Sequence, residues 1–192
     1  MKRSFSIFIL MLLCSTICYS QSIKFIGIPL GIPISSFKKQ LIAKGFKYDP
    51  KDENNIYYIN TYTFNGKFAG EAASVSVYVT PKSKTVYSVW VRFVGFIYSR
   101  YGTGTSSEIS QEYKFDKLRK SLCNKYNNVQ PYDWSSDNTV KGTTWETNNG
   151  RISLTIHWFK DIEGYYNYKF LDLMYDDCRA NKKYDIEANS DL

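Results

Sequence analysis

The chain has 192 residues, 43% hydrophobic, 22% charged and 17% aromatic, and carries 25 Lys and Arg against 18 Asp and Glu for a formal net charge of +7. This composition excludes an intrinsically disordered chain, and the length suits one ordinary domain or two small similar units sharing a core.

At the N-terminus, Lys2 and Arg3 form a positive region, Ile7 to Leu13 is apolar, and Cys18-Tyr19-Ser20 places small residues at the −3 and −1 positions of a cleavage site. Residues 1–20 are therefore expected to be a signal peptide cleaved after Ser20, sending the mature chain to the periplasm or outside the cell. The apolar run is too short for an anchor across roughly 30 Å of hydrocarbon. A lipoprotein is the lesser alternative, because Leu13 and Ile17 stand where a small residue should precede Cys14 or Cys18. The mature chain keeps 23 basic and 18 acidic side chains, net +5, and two cysteines, Cys123 and Cys178. An even pair in an oxidising compartment predicts a disulfide, with two free thiols as the alternative.

Ile23 to Ile28 reads as an opening strand ended by Pro29. A helix follows, with Ser35 or Ser36 as its cap, Phe37 and Leu41 on one face, and Gly45 at the left-handed C′ position, so that Phe46 packs back on Leu41. The pattern then changes to period two. Ile56 to Phe64 is a strand closed by an Asn65-Gly66 turn, and Val75, Val77 and Val79 form one face of the next strand. Thr85 to Val94 carries Tyr87, Val89, Val91 and Phe93 on one face and Val86, Ser88, Trp90 and Arg92 on the other.

The stretch Tyr101 to Ser107 is expected to be a connector. After it, Phe115, Leu118, Leu122 and Tyr126 make the apolar stripe of an amphipathic helix, with Cys123 at its edge. Thr139 to Thr147 leads into an Asn148-Asn149-Gly150 turn; Ile152, Leu154, Ile156 and Trp158 alternate along the next strand, and Tyr165 to Tyr175 forms the last one. Residues 179–192 show no apolar period and are expected to be a mobile tail.

The fold class is thus α+β, built as two tandem helix-then-antiparallel-sheet units, residues 21–100 and 108–178. Their order matches by pattern rather than identity, and a single α+β domain with two helix-then-sheet blocks is the alternative. The opening KFIGIPLGIPISSFKKQLIAKGF at 24–46 resembles the start of a group of uncharacterised small exported bacterial proteins. In outline the helix-plus-sheet repeat is similar to the beta-lactamase inhibitor protein and BamE-like envelope modules. That resemblance implies one continuous curved sheet with helices on one face, and it implies protein binding; no site residues are carried over.

No catalytic constellation stands out. His157 is the mature chain's one histidine, and a Cys123/His157 pair lacks any surrounding signature. Asp176, Asp177 and Cys178 cluster without metal-site spacing, and Gly102 and Gly104 lack the third glycine of a dinucleotide loop, so neither metal nor cofactor is expected. Residues 21–100 hold 11 basic and 4 acidic side chains, while 101–192 hold 12 and 14. Lys38, Lys39, Lys44 and Lys47 therefore form a candidate basic face for an acidic protein or an anionic membrane surface. Nucleic acid is not expected as a partner. Trp90, Trp145, Trp158, Tyr166 and Tyr168 are the second candidate surface, an aromatic sheet face that is either core or exposed. The expected function is an exported, non-enzymatic binding protein for another protein. A carbohydrate- or lipid-binding accessory protein is the alternative, and a small hydrolase is the third reading.

Overall fold

The first apolar segment is a hairpin, not one strand. In the computed structural model, which describes residues 23–50, 60–93, 97–99, 105–136, 140–160 and 166–190, β1 (Lys24–Phe25) turns back on β2 (Ile28–Pro29). The signal segment, its cleavage site and residues 101–104 of the expected connector lie outside the described residues.

Helix α1 (Ile34–Ala43) begins at Pro33, and neither Ser35 nor Ser36 caps it with a side chain. Proline's fixed φ suits a helix start and it has no N–H to satisfy, so the cap sits two residues upstream of Ser35. The other end follows expectation. Gly45 takes φ +91, its N–H bonds Ile42 O at 2.9 Å, and Phe46 N–H bonds Leu41 O at 3.3 Å, the two bonds of a Schellman ending. Phe37 and Leu41 are buried beneath it.

Strands β3 (Lys47–Asp49), β4 (Thr61–Phe68), β5 (Glu71–Val79) and β6 (Val86–Phe93) form an antiparallel meander. The turn between β4 and β5 is Ala69-Gly70, at φ +52 and +88, rather than Asn65-Gly66. Gly66 is internal to β4 for a different reason: a Cβ there would sit 2.5 Å from Cδ1 of the Phe46 ring. A bulge opposite Tyr78/Val79 also breaks the expected alternation of β6, putting Val86 in the core beside Val89, Val91 and Phe93.

After β7 (Ile97–Ser99), helix α2 (Thr105–Lys125) starts inside the expected connector. It buries Phe115, Leu118 and Leu122, as its stripe predicts. A second meander follows: β8 (Tyr132–Ser136), β9 (Val140–Thr147), β10 (Gly150–Lys160) and β11 (Tyr166–Asp177). Among the described residues the large sheet runs β3-β4-β5-β6-β11-β10-β9-β8, with β7 added on β11. The protein is therefore α+β with a long antiparallel sheet and a small two-stranded one.

The C-terminal segment expected to be a mobile tail contains helix α3 (Cys178–Asn189). Asp177 caps it, accepting from the N–H groups of Arg179 and Ala180 at 3.0 Å each. One sheet face, with the side chains of Phe64, Val75, Val77, Val89, Val91, Trp145, Ile152, Leu154, Ile156, Leu171 and Leu173, packs into a single core under α1, α2 and the N-terminal hairpin. The ring series Tyr78, Tyr87 and Tyr184 carries α3 onto the end of the other face.

Candidate functional site: a trough on the open sheet face

Strand register aligns the uncovered face in rows. One row runs Arg92, Asp172, Thr155, Gly142 and Trp134 across β6, β11, β10, β9 and β8; the next runs Trp90, Met174, Ser153, Thr144 and Tyr132. Eight of these residues, all but Arg92 and Gly142, line a trough of about 440 Å³ together with Arg151 and His157. Its floor is small and hydroxyl-bearing, its ends aromatic.

Edge strand β8 owes its position to alternation. Asp133 anchors it toward α2, accepting from Arg119 Nη2 at 2.7 Å and from the Thr143 hydroxyl at 2.6 Å. The next residue, Trp134, then turns to the open face. Its indole lies over Gly142, where a Cβ would meet ring atoms at 2.6 Å, and its Nε1 donates to the Thr144 hydroxyl at 3.1 Å. The ring is fixed and 37% exposed.

At the other end the Arg92 guanidinium packs over the rings of Trp90, 4.6 Å away, and Phe170, 5.1 Å away. Arg92 also grips Asp172 through two hydrogen bonds, at 3.0 and 3.2 Å. Asp172 is buried, so this paired geometry is what lets a carboxylate sit in the sheet. His157 Nε2 lies 3.7 Å from the same carboxylate. Burial, with the Arg92 charge, lowers the His157 pKa below its ordinary value against the pull of Asp172, leaving the imidazole neutral at pH 7. Arg151 reaches Asp176 at 3.3 Å.

The sequence-predicted residues divide. Trp90 lines the trough. Trp145 does not: it is completely buried on the covered face, because its position on β9 is one residue out of phase with Thr144. The backbones of Trp158, Tyr166 and Tyr168 lie on β10 and β11, and their side chains are outside the described part. Lys38 stands over the Tyr48 ring at 3.1 Å, while Lys39 on α1, Lys44 at its C-cap and Lys47 on edge strand β3 are exposed. Lys38, Lys39 and Lys44 belong to the helix that covers the core face, whereas Lys47 shares a register row with Asn65, Ser74 and Arg92 and so faces the open side, three strands from Arg92. Cys123 and Cys178 are free thiols, not a disulfide: Cys123 packs against the core from α2, and Cys178 opens α3, which runs onto the other face.

Trp134, Tyr132, Arg151 and Asp172 escaped sequence reasoning. Tyr132 and Trp134 do alternate in YDWSS, but five polar-flanked residues make a weak strand signal. Among the described residues no group of three or more His, Cys, Asp or Glu side chains is placed to hold a metal, and no helix is long and apolar enough to cross a membrane. No protein-family model, curated protein or solved structure matches the chain.

Proposed function

We propose that the chain is an exported, non-enzymatic binding protein that takes its ligand in the open-face trough. The observation that carries this is the convergence of Trp90, Tyr132, Trp134 and Arg151 on one concavity of about 440 Å³. That volume lies within the roughly 300–1,000 Å³ of small-ligand sites. Trp, Tyr and Arg are the side chains that dominate recognition surfaces, and two of these rings are held in place before any ligand arrives. The reading of two tandem units is supported by the strand order, in which α1 precedes one four-strand meander, α2 precedes another, and their last strands β6 and β11 pair at the centre.

A second reading, a protein partner with an acidic surface or an anionic membrane surface, is favoured by the exposed Lys39, Lys44 and Lys47. Binding of envelope extract and of a glycan panel to the immobilised mature chain separates the two. Capture lost with Trp134→Ala and Arg151→Ala but kept with Lys39→Glu/Lys44→Glu supports the trough; the reverse pattern moves the site to the lysine face.

A further inference from the structure

We infer that the ligand of the trough is a neutral glycan chain laid across the strands, stacking on Trp134 at one end and on Trp90 at the other. This rests on the trough being the binding site. Three features select the chemistry. First, the charges along the trough are already paired, Arg92 with Asp172 and Arg151 with Asp176, so the site offers hydrogen bonds without a net charge for an ionic ligand to answer. Second, the backbone groups of β6, β11, β10 and β9 are engaged in ladders on both sides, so an extended peptide cannot add as a strand there and would find only side-chain partners. Third, the floor between the flat rings is lined by the small hydroxyl side chains Thr144, Ser153 and Thr155, of which Ser153 is the partly exposed one and the two threonines are buried beneath. A sugar ring has an apolar C–H face for the indoles and a rim of hydroxyls for the floor.

The span sets the length. Trp90 is on β6, and the Trp134 indole lies over Gly142 on β9, three strand spacings away in the sheet, or about 14 Å at roughly 4.8 Å each. One sugar ring covers roughly one strand spacing, so a chain with a ring on each indole and one over each strand between them has about four rings.

The test is titration of the mature chain with cello- and chito-oligosaccharides of one to six units, followed by tryptophan fluorescence and calorimetry, with a tyrosine-rich decapeptide alongside. Affinity is expected to rise with each unit to about four and then level off. Trp134→Ala and Trp90→Ala should each weaken the four-unit ligand about tenfold, the scale of a lost ring contact, with Trp134→Phe retaining most of it. Thermal unfolding of each variant confirms that it folds. A two-unit sugar binding as tightly as a four-unit one, or no binding by either sugar series, overturns the inference. If the sugars fail while the peptide or an envelope protein binds in a Trp134-dependent way, the glycan inference falls and the trough reading stands. If nothing binds in a Trp134- or Trp90-dependent way, the trough reading falls as well.

Discussion

The indole of Trp134 rests on Gly142 across the β8–β9 pair, and a Cβ at position 142 would lie 2.6 Å from its Cε2 and Cζ2 atoms. Gly142→Ala should therefore lift the ring off its seat and break its bond to Thr144. Because Trp134 sits at an edge and can move outward, the stability cost should be modest, about 1 kcal/mol, while ligand binding suffers more. Urea unfolding of a double-mutant cycle checks this. In a Trp134→Ala background the same Gly142→Ala change should cost almost nothing, since the clash is gone.

Arg92→Met should leave the buried Asp172 carboxylate without its two-pronged partner. Removing one member of a buried pair is the damaging direction, and because Arg92 itself is half exposed the loss should fall at about 1–3 kcal/mol. Asp172→Asn should cost less, as a neutral amide tolerates the same place without a countercharge. Equal losses from the two substitutions, measured by denaturant midpoint, would count against the pair as the reason for the burial.

His157 gives the fold a pH dependence of defined sign. Its folded pKa lies below the ordinary 6.5, chiefly from burial, so between the two values the unfolded chain binds more protons than the folded one. Stability should then fall as pH drops through about 6.5 toward the folded value, and rise again on return to neutrality. His157→Gln should remove that slope from a series of urea midpoints; a slope unchanged by the substitution would place its origin elsewhere.

Helix α3 is latched by Glu187, whose carboxylate accepts from the backbone N–H groups of Lys82 at 2.8 Å and Ser83 at 3.0 Å in the β5–β6 turn. The Ser83 hydroxyl is the largest cause holding its pKa down to about 2, against a burial penalty, with those two amides and the Thr80 hydroxyl adding to it. A depressed carboxylate stabilises above its unfolded value, 4.5, and loses that contribution as pH falls through about 2. Protection of the 178–189 amides, taken relative to their intrinsic exchange rates, should fall progressively as pH drops from about 4.5 to about 2. Glu187→Gln should give the weakened protection already at neutral pH.

Local signals were legible and non-local ones were not. The α1 ending could be read because Gly45 and Phe46 bond to carbonyls within the same turn, and the α2 stripe because 3.6-residue spacing fixes a face without reference to anything else. Gly66 misled as a turn residue because its cause is the Phe46 ring, twenty positions away. Period two sorted the strand residues into faces but did not say which face the helices cover, so Trp145 and Trp90 looked equivalent although one is core and the other lines the trough. Half of the site depends on β8, whose pairing is decided by Gly142 and Asp133 contacts that no short sequence window contains. Helix α3 was announced by Asp177 as a cap, a signal hidden by its lack of apolar period.

Cys123 and Cys178 should both react as free thiols in a folded chain of residues 21–192 without reductant. Cys178 is exposed at the first position of α3 and should be alkylated at the rate of an open thiol. Cys123 is partly buried against the core from α2, so its modification should be slower and should quicken in denaturant. Mass spectrometry of residues 21–192 under native, non-reducing conditions is expected to show one rapid and one slow addition. A mass with no additions until reductant is present would mean that the pair bridges.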